Sequence, residues 1–168
     1  MRILISAVAI AMLAGTLHAG DWTGSYAGGQ AGRQTGTTHG GGDAVTYGLH
    51  GGYDIDFGDL VLGGELEVGR MNLSSGGDTT GVSDVGRIKF RAGRDFGSTM
   101  AYAIAGGVNA GAPTGTATGT VYGLGLLTAV GDNLTISGEA LRQVFGNFAK
   151  SGSDLKTDIF NVRVSFHF

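Results

Sequence analysis

No cysteine occurs in the 168 residues, which excludes disulfides, cysteine-bearing zinc sites, thiol nucleophiles and a lipid-modified N-terminal cysteine. Proline is nearly as scarce, with one residue in the whole chain. Charge is sparse as well: 11 Lys and Arg stand against 14 Asp and Glu, the net charge is -3, and no basic cluster is available to track a phosphate backbone. Nucleic acid is therefore not an expected partner. Beyond residue 20 no apolar run is long enough to cross a bilayer as a helix, so a mature chain seated in a membrane must cross it as a closed barrel. Aromatic residues make up only 8%, which leaves little material for full aromatic girdles.

What the chain does have is glycine, 34 residues of it, together with an apolar content of 42% that is too high for a disordered segment. Its N-terminus runs from Arg2 through the apolar stretch Ile3 to Ala14 and then Gly15-Thr16-Leu17-His18-Ala19, the order of a secretory signal peptide. That apolar stretch is shorter than a spanning helix requires. Residues 1–19 are thus expected to be a signal peptide, and residues 20–168 one barrel domain.

The mature chain alternates apolar and polar residues in eight segments, each near the length of a tilted transmembrane strand. They are Trp22–Gly32, Ala44–Phe57, Leu60–Leu73, Asp84–Phe96, Thr99–Ala110, Ala117–Val130, Leu134–Phe145 and Thr157–Phe168. Phe57-Gly58-Asp59, Phe96-Gly97-Ser98 and Gly131-Asp132-Asn133 are tight turn sequences. Between them lie longer polar connections at Arg33–Asp43, Ser74–Ser83, Gly111–Thr116 and Gly146–Lys156. This asymmetry predicts short periplasmic turns, outward-facing loops and both chain ends on the periplasmic side.

Face assignment follows from parity. Val45, Tyr47, Leu49, Tyr53, Ile55 and Phe57 oppose Thr46, His50, Asp54 and Asp56, while Ile88, Phe90 and Ala92 oppose Arg87, Lys89, Arg91 and Asp95. Mid-strand charge on the polar face suits a barrel lumen. A small soluble barrel with the two faces exchanged is the structural alternative. The expected fold is all-β, an eight-stranded antiparallel up-and-down transmembrane β-barrel.

The opening "WTGSYAGGQAG" at Trp22–Gly32, the eight segments and the terminal "VRVSFHF" resemble the small bacterial outer-membrane barrels of the opacity-protein and OmpA-like porin family, over the whole mature chain. The resemblance implies a location in the bacterial outer membrane, with the lipid bilayer and lipopolysaccharide as surroundings. It also implies that the last strand, through Val164, Phe166 and Phe168, is the signal read by the barrel assembly machinery.

Inward polar residues of an eight-stranded barrel meet each other, because side chains just fill such a lumen. Turning the third and fourth segments about Gly76–Thr80 brings Glu67 near Lys89 and Glu65 near Arg91. Turning the last hairpin about Ser151 brings Glu139 opposite Arg163, and His50 approaches Glu65 or Glu67. A lumenal ion-pair network is the expectation. Glycines on the same faces (Gly48, Gly52, Gly63, Gly69, Gly93, Gly107, Gly123 and Gly125) either make room for these long side chains or leave thin watery passages.

Catalytic residues are not expected. A lipid-active barrel enzyme needs serine and histidine within hydrogen-bond reach, and His18, His39, His50 and His167 form no such pair by sequence pattern. The fragment "GGGD" at Gly40–Asp43 stands alone, without the serial repeats of a calcium-binding array, so neither a metal nor a cofactor is expected. The function that fits is a non-enzymatic outer-membrane barrel contributing to envelope integrity, with a narrow channel for ions or very small solutes as the alternative.

Overall fold

A computed structural model describes residues 21–36, 44–75, 78–112, 115–146 and 155–168. The expected signal peptide, His39 and the Gly40–Asp43 stretch lie outside the described residues. Eight strands follow in chain order: β1 (Gly24–Gly36), β2 (Ala44–Asp56), β3 (Leu60–Ser75), β4 (Asp78–Asp95), β5 (Thr99–Ala112), β6 (Gly115–Ala129), β7 (Leu134–Phe145) and β8 (Leu155–His167). Each pairs antiparallel with its neighbours in the chain, and β8 closes onto β1. The closed sheet has no edge, so its backbone polar groups are satisfied without water. Among the described residues no helix is long and apolar enough to cross a membrane.

The strands extend further at the loop end than alternation predicts. Most of the expected connections Ser74–Ser83 and Gly111–Thr116 is strand: β3 and β4 pair out to Ser75 opposite Asp78, with a register shift between Leu73 and Ser74, and β5 pairs with β6 out to Ala112 opposite Gly115. Loss of apolar alternation marks where the barrel leaves the lipid, whereas backbone pairing continues until a turn forces it to stop. At the other end, Trp22 lies before β1 rather than opening it.

The three short turns obey local chemistry. Gly58, Gly97 and Gly131 have φ of 92°, 87° and 83°, a left-handed conformation that glycine adopts at little cost. Asp56 and Asp95 each accept a hydrogen bond from the backbone N–H two residues on, Gly58 and Gly97, at 2.7 Å. The hairpins are closed by Phe57 N–H donating to Leu60 O and Phe96 N–H donating to Thr99 O, both at 2.8 Å.

Outside, Leu66, Leu124 and Phe160 are 63%, 67% and 66% exposed, and similar residues ring the barrel. Inside, one apolar cluster starts at the turn end with Trp22, Val61, Met100 and Leu127 and continues along β5–β8 through Ile104, Val121, Leu141 and Ile159. Trp22 is only 2% exposed; its indole N–H donates to Asp95 Oδ1 at 2.9 Å and its backbone N–H to Asp56 Oδ2 at 3.1 Å. A second apolar layer of Ala44, Met71, Val85, Val108, Ala110 and Phe145 fills the loop end. The charged residues lie between the turn-end part of the first cluster and this second layer.

Inward glycines make room for large neighbours. Tyr26 lies opposite Gly52, Tyr102 opposite Gly125 and Asp54 opposite Gly63 in the cross-strand register. A Cβ at any of these three glycines would collide with the side chain facing it. Gly107 does not belong with them. The buried residues of β5 are Met100, Tyr102, Ile104, Val108 and Ala110, so the parity turns Gly107 outward, where a Cβ would lie 3.6 Å from Ile88 Cγ2, and makes Gly106 the inward glycine.

Candidate functional site

The middle of the lumen holds eight buried charges among the described residues, four acids (Asp54, Glu65, Glu67, Glu139) and four bases (Arg87, Lys89, Arg91, Arg163). Formal charge therefore cancels, the condition under which ions persist at low dielectric. Lys89 Nζ is the hub, ion-paired at 2.7 Å to Glu65 and 3.0 Å to Glu67 and donating a hydrogen bond to Glu139 Oε2 at 3.0 Å. Arg163 bridges Glu139 and Glu65, the latter at 2.5 Å. Arg87 pairs with Glu67, and with its amide oxygen facing the guanidinium Gln143 accepts from Arg87 Nε and Nη2 at 2.6 Å.

Arg91 belongs to a separate arm nearer the turn end. It forks onto Asp54, with Nε donating to Oδ1 at 2.7 Å and Nη2 to Oδ2, and its guanidinium lies 4.3 Å from the ring centroid of Tyr26 and 5.4 Å from that of Tyr102. The two tyrosines tie this arm to the hub: Tyr26 OH donates to Glu65 at 2.9 Å and Tyr102 OH to Glu139 at 3.1 Å.

The seven residues of the expected ion-pair network, His50, Glu65, Glu67, Lys89, Arg91, Glu139 and Arg163, are all buried, but the partners differ from those expected. Glu65 lies opposite Lys89 and Glu67 opposite Arg87, two residues away from the predicted register; β3 and β4 pair out to Ser75 opposite Asp78, nearer β3 than expected. Glu67 still contacts Lys89, whereas Arg91 pairs with Asp54 instead of Glu65. In the last hairpin Glu139 is opposite Asn161, and Arg163 is opposite Ser137; the Glu139–Arg163 ion pair forms diagonally because the arginine is long. His50 is opposite Glu67 in register, yet its Nε2 lies 2.8 Å from Ser165 Oγ. Asp54 and Arg87 were visible as polar-face residues and lacked only a partner. Tyr26, Tyr102 and Gln143 carried no signal of membership, since an alternating strand places tyrosine on either face.

The His50–Ser165 contact is the serine–histidine pair that the sequence pattern did not reveal. Both side chains are buried in the lumen, and His50 Nδ1 has no hydrogen-bond partner among the described residues to orient the ring as a base. His167, stacked on Tyr26 with centroids 5.4 Å apart, contacts Thr135 Oγ1 at 3.1 Å. Val164 and Phe166 face outward at 46% and 49% exposure, and Phe168 closes the chain with its N–H donating to Ser25 O at 2.9 Å.

Two solved structures share this architecture. Neisserial surface protein A (NspA) superposes with a TM-score of 0.61 at 16% identity, covering 87% of this chain and 98% of that one. Ail, the attachment invasion locus protein of Yersinia pestis, superposes with a TM-score of 0.54 at 14% identity, covering 87% and 97%. At such identities the likeness is one of fold. Comparison by sequence with curated proteins finds no significant match. The sequence pattern of the outer membrane protein beta-barrel domain, however, matches residues 3–168, nearly the whole chain. The chain belongs to that family, and it is a barrel of the bacterial outer membrane.

Proposed function

We propose that the protein is a non-enzymatic, non-conducting barrel that contributes to envelope integrity and presents short polar connections at the cell surface. The observation that carries this reading is the charge-balanced network of four acids and four bases, closed off by an apolar layer at each end. An ion entering the lumen would have to break a buried pair, which costs several kcal/mol on the order of 3–5, and then pass Trp22. The inward glycines, which by sequence either make room for side chains or leave watery passages, support plugging once Tyr26, Tyr102 and Asp54 stand opposite Gly52, Gly125 and Gly63. A structural role for His50 and Ser165 agrees with their burial away from both lipid and water. The outward aromatic parity of the last strand supports Val164, Phe166 and Phe168 as the segment recognised by the barrel assembly machinery.

Planar-bilayer recording tests the closed lumen. The wild-type protein is expected to be silent, and Trp22→Ala is expected to be silent too, because the ion-pair layer remains intact above the opened turn end. Steady openings of the wild type would replace this reading with the narrow channel.

A further inference from the structure

The last strand closes the barrel, and two histidines hold its turn-end half from inside. His50 of β2 lies opposite Gly28 of β1, and Ser165 of β8 lies opposite the same glycine from the other side. The imidazole passes over Gly28, where a Cβ would lie 2.7 Å from Nε2, and reaches Ser165 Oγ at 2.8 Å. One side chain thus spans β1 and ties β2 to β8. Two residues on, His167 ties β8 to β7 through Thr135 Oγ1 at 3.1 Å and packs on the ring of Tyr26 of β1, with centroids 5.4 Å apart. The rings of His50 and Tyr26 are 6.2 Å apart, so one tyrosine lies next to both histidines.

Both histidines are buried, and in both Nδ1 has no hydrogen-bond partner among the described residues. A neutral ring can donate through Nε2 to its hydroxyl and leave Nδ1 without a proton, whereas a protonated ring donates at both nitrogens and needs a second acceptor. The charged groups around His50 are Arg163 of β8 and Lys89 of β4 against Glu65 and Glu67 of β3, and the phenol of Tyr26 faces it from β1. Around His167 the charged group is Arg91 of β4, which is itself held by Asp54 of β2, and Tyr26 again faces it from β1. The terminal carboxylate follows one residue on, and Nδ1 does not bond it. Each of the four described lumenal acids already has its cation: Lys89 holds Glu65 and Glu67, Arg163 holds Glu139, and Arg91 holds Asp54. The lumen therefore balances with both rings neutral, and a proton on either adds a positive charge that no free carboxylate meets.

We infer that His50 and His167 form an acid-sensitive clasp on the closing strand. Neutral, they join β8 to β2, β1 and β7 across the turn-end half of the seam; protonated, they bring unmatched charge into the same space and weaken the closed state. The unfolded chain takes up the same protons in water without that cost. Stability is therefore complete above the histidine range and falls as the pH drops through it, from about 6.5 downward. Ordinary carboxylates titrate about two units lower, so the histidines act first. The clasp rests on the barrel fold alone and holds whether or not the lumen conducts.

The test is urea unfolding of the mature barrel in phosphatidylcholine vesicles at about pH 7.5 and about pH 5.5, a window that spans the histidine range and stays above that of ordinary carboxylates. Every protein carries His39→Gln, which leaves His50 and His167 as the histidines beyond residue 20. Between the two pH values the unfolding constant is expected to rise about tenfold for each lumenal histidine and about a hundredfold in all, because a ring that stays neutral in the barrel takes its proton only on unfolding. His50→Gln and His167→Gln are neutral at either pH. Each is expected to remove about a tenfold share of the rise, and the double substitution to abolish it. Nitrogen-15 spectra of the two rings in the folded, unsubstituted lumen give a reading that needs no lumenal variant to fold, and both rings are expected to be neutral at about pH 5.5. An unfolding constant equal at the two pH values, a rise that survives the double substitution, or imidazolium signals from the folded barrel at about pH 5.5 overturns the clasp.

Discussion

Arg163 and Glu139 form an ion pair although they are not partners in the β7–β8 register: Arg163 lies opposite Ser137, and its guanidinium reaches Glu139 two residues along while its second nitrogen holds Glu65 at 2.5 Å. One cation thereby cross-links β8, β7 and β3 through the lumen. Neither carboxylate belongs to Arg163 alone, since Lys89 holds both.

Charge balance makes a specific thermodynamic prediction. Glu139→Ala leaves four bases against three acids in the described lumen and should cost about 3–5 kcal/mol, measured by urea unfolding in lipid vesicles. Adding Arg163→Ala restores neutrality, so that double variant should be less destabilised than the sum of its parts. Adding Glu65→Ala instead deepens the imbalance and should exceed its sum. If both pairs prove strictly additive, the hub does not behave as a single charged unit.

The level at which these charges lie was legible from sequence, and their pairing was not. Period-two alternation settles the face of Glu65, Glu67, Lys89, Arg91, Glu139, Arg163 and His50, because the pleat leaves only two choices. A slip of two residues keeps every residue on its face and changes every partner, so the true turn position moved Glu65 from Arg91 to Lys89 without leaving any trace in the pattern. Trp22 was misread for a related reason. It continues the alternation of β1, and only the carboxylates of Asp56 and Asp95, brought from two distant turns, reveal it as a cap on the lumen.

The glycine–tyrosine pairs yield a packing prediction. Tyr102 fills the space opposite Gly125, where a Cβ would overlap its ring. Gly125→Ala should therefore cost about 1–3 kcal/mol as overpacking. Trimming the ring with Tyr102→Leu should offset much of that penalty, although it also removes the hydroxyl that serves Glu139. The comparison is between Gly125→Ala in the wild-type and Tyr102→Leu backgrounds; an identical cost in both would mean that the alanine is resisted by something other than the tyrosine.

Lipid exposure predicts a different penalty on the outer wall. Leu124 faces outward, 67% exposed, near the middle of β6. Leu124→Arg should destabilise the barrel by about 2–4 kcal/mol in vesicles if it lies at the bilayer midplane, and by less in a thinner bilayer, where the cation reaches the interface more easily. Gly64→Ala, an outward change into open space on β3, should be close to neutral in the same assay. A negligible effect of Leu124→Arg would place that wall outside the hydrocarbon.

The terminal phenylalanine separates folding from recognition. In the folded barrel Phe168 contributes one backbone hydrogen bond to Ser25 O at 2.9 Å and an edge-on contact with Phe166, ring centroids 5.3 Å apart. Those contacts are worth about 1 kcal/mol each, so deleting Phe168 should lower stability in vesicles by roughly 1–2 kcal/mol and leave folding from urea intact. If the assembly machinery reads the terminus, the same deletion should reduce heat-modifiable protein in the outer membrane of growing cells far more than that stability loss predicts. Restoring an aromatic side chain with Tyr at the last position should recover most of the yield, whereas Ala should not. Similar yields for the deletion and the wild type in cells, alongside the modest loss in vesicles, would show that Phe168 belongs to the stave alone and that the address lies elsewhere in the chain.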